Sequence, residues 1–410
     1  MTSSPLTRLH GLDAIRAFAL LLGLVLHAAM SFIPGPYGIP IWVVRDSMAS
    51  DSFALAFYIP HIFRMVLFFT IAGFFARLAY EKRGALGFGI DRIKRIALPL
   101  ASFWMPVFAA IVAVLIWGAV KANGGEMPEA PEQPGLSAEN FPLTHLWFLY
   151  LLCLFYPVAM VLRGAFRLID RNDVIGGLVD RLVNLITLTP LGLFVLAVPL
   201  TLAFMQASEW MMWFGIPTPD TGLIPNTVAL TGYGTAFTFG WLLHRQADLL
   251  KRFQTWWPIY LSAAVVLTWA CLNQTGYAPN FNMGDDTQAT WLYAAGYASA
   301  GWAWSLGLIG VGLSLFGKAN RAVRYLADAS YWIYIIHLPA VMALQVAVSD
   351  IALPALVKFG LINAITLCLA LATYHFVVRN TWLGGWINGR RHGKSETVKT
   401  DAALPDSATA

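Results

Sequence analysis

Charge is scarce in this chain. Only 12% of its 410 residues are Asp, Glu, Lys or Arg, against about 25% in an ordinary soluble domain. Hydrophobic residues make up 58% and the mean hydropathy is +0.62, so a soluble globular reading is excluded. Cysteine is scarce too. Cys153, Cys271 and Cys368 lie far apart inside apolar stretches, which excludes a disulfide framework and a thiolate metal cluster. Polar sequence long enough for a second folded domain is also missing.

In place of these the chain has apolar runs that repeatedly reach the roughly twenty residues needed to cross a hydrocarbon core about 30 Å thick. They predict an all-α, polytopic membrane helix bundle of about ten spans, near 10–33, 55–78, 97–119, 145–163, 188–207, 228–245, 256–273, 289–316, 325–348 and 355–378. Asp13 and Arg16 interrupt the first span and no small-residue cleavage site follows it, so it reads as a retained helix and not a signal peptide.

Lys and Arg sort by loop. Segment 77–96 carries Arg77, Lys82, Arg83, Arg92, Lys94 and Arg95, and 163–187 carries Arg163, Arg167, Arg171 and Arg181. Segments 245–255, 317–324 and 379–399 are also basic. The loops between them have almost none: 34–54 holds only Arg45, 120–144 holds Lys121 among glutamates, and 208–227 and 274–288 hold no Lys or Arg. By the positive-inside rule both termini are cytoplasmic. The same rule accounts for the net charge of +5 without a nucleic-acid partner. Residues 1–379 are expected to form the membrane domain and 380–410 a cytoplasmic, largely disordered tail.

Ionisable side chains inside spans are costly and usually face a partner or a cavity. Here they are Asp13, Arg16 and His27 in the first span, His61 and Arg64 in the second, His145 at the outer start of the fourth and His337 in the ninth. Arg16 and His27 are eleven residues apart, so they share one helix face about 16 Å apart along the axis. A polar track through the bundle and plain interhelical hydrogen bonding both fit that spacing. His61 enters from the outer side to the depth of His27, with Arg64 one turn further on. No carboxylate or third His adds a metal-ligand spacing such as His-Glu-x-x-His, and no metal is expected.

His145 opens the run His145-Leu146-Trp147-Phe148, which also reads as an interfacial aromatic belt. His337 lies in Ser330-Tyr331 through His337-Leu338-Pro339, where the proline frees backbone groups that protein or water must satisfy. Arg92 and Arg95, in Asp91-Arg92-Ile93-Lys94-Arg95, read either as an inner anchor to anionic lipid or as a bidentate phosphate site.

Four of these motifs together resemble the integral-membrane acyltransferase family 3: Leu12-Asp13-Ala14-Ile15-Arg16 with His27, His61-Ile62-Phe63-Arg64 through Gly73, Arg92-Ile93-Lys94-Arg95 with Pro99, and Ser330-Tyr331 through Pro339. The His-Phe-Arg wording and the His145 run are most similar to the subgroup containing glucans biosynthesis protein C, associated with succinylating periplasmic glucans. One departure is Ala72, where family members often have Ser. The resemblance, over about residues 8–379, implies a stand-alone bacterial inner-membrane O-acyltransferase without the C-terminal esterase-like domain of many relatives.

It implies an acyl-CoA co-substrate, succinyl-CoA or acetyl-CoA, on the cytoplasmic side and a periplasmic glycan acceptor, with no metal. It assigns His27, with Arg16, Asp13 and His61, to catalysis. Arg64, His145, Trp147, His337 and Tyr331 go to substrate binding, and Arg92 and Arg95 to the CoA phosphates. Membrane lipids are expected partners, with a second copy or other glucan-biosynthesis proteins as candidates. The rival reading is a transporter using the same track, against which stands the lack of an internal repeat.

Overall fold

The computed structural model describes residues 10–35, 42–128, 135–284, 287–318 and 320–388. Most of the expected tail, 389–410, lies outside the described residues. Among the described residues twelve α-helices follow one another: α1 His10–Ala29, α2 Ser52–Arg92, α3 Leu98–Ala122, α4 Trp147–Ile169, α5 Val174–Ile186, α6 Gly192–Gln206, α7 Thr227–Leu243, α8 Leu250–Thr275, α9 Thr287–Leu315, α10 Arg321–Val348, α11 Ala355–Thr373 and α12 Trp382–Asn388. Among the described residues there is no β-strand, only an isolated bridge between Pro142 and Thr221.

Among the described residues seven helical runs are long and apolar enough to cross a membrane. Two of them, 52–122 and 227–275, each contain a pair of the expected spans. In the first, Gly84 breaks the helical path at φ 70; in the second, Gln246 leaves the helical region at φ −127. The 15-residue α6 is shorter than the 188–207 span expected there.

The largest correction concerns the basic segments. Residues 77–96 are not a loop: α2 runs on to Arg92 and a π-helical turn, Ile93–Ala97, joins it to α3. Likewise 163–187 is filled by the end of α4 and by α5. Ala, Leu, Glu, Lys and Arg are strong helix formers, so charge ends an apolar span there without ending the helix.

Side-chain bonds gather the basic segments at one end of the bundle. Arg245 pairs with Asp173 and Asp180, Arg252 donates to the Asn184 carbonyl at 2.9 Å, and Gln254 donates to that of Leu313 at 3.0 Å. The start of α1 lies against α9 at Gly312, and α12 packs on the 93–97 turn, so both ends of the described chain share this side.

At the opposite end a buried pair, Lys358 Nζ to Asp46 Oδ2 at 2.7 Å, fixes the 42–51 loop. Lys358 also donates to the Ser349 carbonyl at 3.2 Å, which provides the extra hydrogen bonding such a pair needs out of water.

The core crossing is that of α2 on α7. A Cβ at Gly73 would strike the Phe237 carbonyl, and one at Gly240 that of Thr70. With hydrophobicity equal on lipid and protein sides, such close backbone approach is what drives helices together in a membrane. Gly73 closes the second sequence motif, and its part in the structure is to seat α2 so that Arg64, nine positions earlier, faces α1.

Candidate active site

Four imidazoles and one guanidinium from α1, α2, α10 and the 3-10 turn Thr144–Leu146 before α4 are brought together toward the non-basic end. The His27 and His337 ring centroids are 5.4 Å apart, and those of His337 and His145 5.1 Å. Arg64 reaches this row across Gly23, where any Cβ would overlap its Nη1. Gly23 precedes His27 by four residues, one turn on the same face, so the guanidinium and the imidazole share one side of α1. His61 precedes Arg64 by three residues, about one turn of α2. Its ring stacks on Phe57 at 5.0 Å, which in turn stacks on Trp213.

Pro339 explains how the row is built. A proline in a helix leaves the carbonyl four residues back without its donor, which here is that of Ile335. His145 Nε2 lies 3.1 Å from that oxygen and 3.0 Å from the Tyr334 carbonyl. Both neighbours are acceptors, so Nε2 carries the proton. His145 Nδ1 is buried without a partner among the described residues. His337 Nδ1 stands 2.8 Å from the Tyr334 carbonyl, and by the same logic holds its proton there, leaving its other nitrogen a free base. Tyr334 closes the link by donating to the His145 carbonyl at 2.5 Å.

His145 enters the bundle through a strained residue. Thr144 has φ 53, a left-handed conformation that is a genuine outlier for a β-branched side chain and costs of order 1–3 kcal/mol. The water-exposed, belt-like histidine weighed from the sequence is instead buried, held by the carbonyls of α10.

His27 is covered on its outer side by Trp42, whose ring stacks at 6.0 Å. Trp42 Nε1 donates to Gln345 Oε1 at 2.8 Å, and Gln345 Nε2 donates to the carbonyls of His27 and Ala28 at 2.9 and 3.1 Å. His27 Nδ1 has no partner among the described residues. His27, His61 and Arg64 nonetheless retain partial exposure. Such unpaired buried polar atoms are costly in a packed core.

The other sequence candidates lie elsewhere. Arg16 is toward the basic end, 3.4 Å from Asp13 and from the Ala327 carbonyl of α10. Its side chain keeps 36% of its surface exposed. Arg16 and His27 thus both face α10, as their spacing predicts, yet they belong to different ends of it. Trp147 is in the apolar core, stacked on Tyr233 at 5.4 Å.

Arg92 and Arg95 converge on the buried carboxylate of Asp91, at 2.5 and 2.9 Å, with Arg83 as a third partner. Three guanidiniums on one carboxylate leave an anion-attracting centre. Arg92 also lies over the rings of Phe88 and Tyr156, at 5.2 and 5.4 Å. Tyr331 donates to the Arg95 carbonyl at 2.9 Å. Along α10, Tyr331, Tyr334 and His337 follow at three-residue steps, a polar ladder from the arginine centre to the imidazole row.

Sequence reasoning missed Gly23, Trp42, Thr144, Tyr334 and Gln345. Tyr334 was readable from its spacing between Tyr331 and His337, Gly23 from its turn-distance to His27, and Gln345 as an amide within a span. Trp42 lies in a loop and Thr144 opens the 3-10 turn Thr144–Leu146, and neither carried such a signal.

Chemically, the row offers unprotonated imidazole nitrogens beside a fixed guanidinium, the pairing that takes a proton and steadies an oxyanion. Among the described residues no group of three or more His, Cys, Asp or Glu is placed to hold a metal ion.

A family profile described as an acyltransferase domain matches residues 9–375. Glucans biosynthesis protein C of Salmonella schwarzengrund is 24% identical over 385 residues, 92% of this chain and 94% of that protein. The protein of that name from Salmonella paratyphi B is 24% identical over 386 residues, with the same coverage. No solved structure matches the chain. Since the profile runs from the start of α1 to the end of α11, over the arginine centre and the imidazole row alike, the chain belongs to this acyltransferase family and is a multi-pass membrane acyltransferase.

Proposed function

We propose that this protein is a bacterial inner-membrane O-acyltransferase that takes a succinyl or acetyl group from acyl-CoA at its basic, cytoplasmic end. It delivers that group to a hydroxyl of a periplasmic glycan, a glucan in the reading the relatives' name favours. The observation that carries this is the ladder of Tyr331, Tyr334 and His337, which connects the Asp91-centred arginines to the row holding His27 and Arg64.

In this reading Arg92 and Arg95 hold the CoA phosphates, and the extended donor arm follows α10, past Arg16 at its entry. An unprotonated nitrogen of His27 takes the proton of the acceptor hydroxyl as its oxygen attacks the thioester carbon. The negative charge that develops on the carbonyl oxygen meets Arg64, oriented across Gly23. The carbon–sulfur bond then breaks, and the departing thiolate receives the proton from His27, so the products are an ester and CoA thiol. His337 and His145, tied to α10 carbonyls, position the ring beside them.

The test is the purified protein in lipid nanodiscs with succinyl-CoA or acetyl-CoA and a soluble β-glucan, read by mass spectrometry of the glucan and by thiol release. The proposal expects glucan mass to rise by one acyl group per CoA released. Movement of a solute across proteoliposomes with no thiol release would give the track to a transporter instead.

A further inference from the structure

A second polar feature lies apart from the imidazole row. Between α4, α5 and α7 at the basic end there is a cavity of about 630 Å³, within the range of specific ligand sites. Its lining includes none of the four imidazoles, Arg92, Arg95 or Tyr331. The walls divide by chemistry. Toward the membrane they are apolar, with Phe155, Val158, Leu162 and Phe166 from α4 and Phe237 and Leu242 from α7. Above them stand five arginines: Arg77, Arg163, Arg167, Arg171 and Arg245.

The carboxylates at the rim are already engaged. Asp173 binds Arg245, as does Asp180 just beyond the rim, Arg77 binds Glu81, and both oxygens of Asp170 accept N–H groups at the start of α5, from Val174 and Gly176. Arg163, Arg167 and Arg171 have no ion pair among the described residues, and Arg167 lies over the Tyr80 ring at 5.9 Å. Three uncompensated guanidiniums over an apolar wall match an anionic head joined to an acyl chain. Val158, Leu162 and Phe166 are themselves exposed on the outer face of α4, so the wall opens sideways to lipid. A bilayer molecule can enter there without leaving the membrane.

We propose that this cavity is a site for an anionic phospholipid, its phosphate held by Arg163, Arg167 and Arg171 and one acyl chain lying along Val158 and Leu162. Basic pockets between helices on the cytoplasmic side are suited to such headgroups, each basic side chain contributing roughly a factor of five in affinity. The site stands independently of the acyl-transfer reading.

The test is native mass spectrometry of the full chain released from detergent micelles containing equal amounts of phosphatidylglycerol and phosphatidylcholine. The wild type is expected to retain phosphatidylglycerol about a hundredfold over phosphatidylcholine. The triple variant Arg163→Gln, Arg167→Gln, Arg171→Gln should lose that preference. Leu162→Trp, which leaves every charge in place and fills the apolar wall, should weaken retention of either lipid. Equal retention of the two lipids by the wild type, or a preference that survives the triple variant, overturns the proposal. So does displacement of phosphatidylglycerol by CoA or by inorganic pyrophosphate alone, which would make the cavity a soluble-phosphate site.

Discussion

Arg64 of α2 lies across Gly23 of α1, where any Cβ would occupy the place of its guanidinium, and His27 follows Gly23 by one turn of the same helix face. The absent side chain of one helix thus sets the position of a charge carried by another. Gly23→Ala should leave the helix as stable or more so, since Ala is favoured over Gly by about 1 kcal/mol in a helix interior. Acyl transfer should fall roughly tenfold to a hundredfold, the scale of an approximately 1 Å misplacement at a reacting centre. Thermal unfolding and CoA release on the same preparation check both halves.

Pro339 frees the Ile335 carbonyl for His145. Pro339→Ala restores an N–H that competes for that oxygen, leaving His145 only the Tyr334 carbonyl. The expected outcome is a protein at least as stable as the wild type with turnover lowered about tenfold. Lowered stability together with unchanged turnover would show that the proline serves the helix bend alone.

Trp42 covers His27 and, through Gln345, is tied to the end of α1. A cover of this kind keeps water from a reactive thioester. Trp42→Ala is expected to raise acceptor-independent hydrolysis of acyl-CoA and lower transfer, shifting their ratio by about tenfold, as measured by thiol release with and without the glycan.

Asp170 lies outside the spans, capping α5. The N–H of Gly176 does most to hold its carboxyl below the ordinary carboxylate range; desolvation opposes it, and the N–H groups of Ile175 and Val174 and the charge of Arg245 add smaller lowering effects. A carboxyl lowered in the folded state contributes stability that is fully present above its ordinary value and is lost as pH falls through the folded one. Amide protection across 174–186, taken relative to the intrinsic exchange rate at each pH, should therefore fall only in strong acid. Asp170→Asn, which keeps an acceptor and loses the charge, should show faster exchange at neutral pH.

The legibility of the sequence divides along physical lines. Apolar runs and Lys/Arg alternation report where the chain meets lipid, so the all-α membrane bundle and its common basic end were readable. They report nothing about where a charged helix stops, which is why 77–96 read as a loop. Helix periodicity placed Arg16 and His27 on one face, and both do address α10. It could not say that Asp13 would hold Arg16 or that Asp91 would gather three arginines, because those contacts depend on rotamers and on neighbours distant in sequence. The need for a partner at Pro339 was legible from the missing N–H alone; that the partner would be His145, 190 residues away from Ile335, was settled only by packing. Trp42 lies in a loop whose conformation no periodicity constrains.

The most direct measurement is acceptor-dependent CoA release by His27→Ala beside the wild type in nanodiscs, with unfolding midpoints recorded for both. Loss of a general base predicts a fall of about a hundredfold or more in turnover with the midpoint essentially kept. Transfer at the wild-type rate by a folded His27→Ala protein would contradict the account, because no proton acceptor would then be needed where the imidazole row places one.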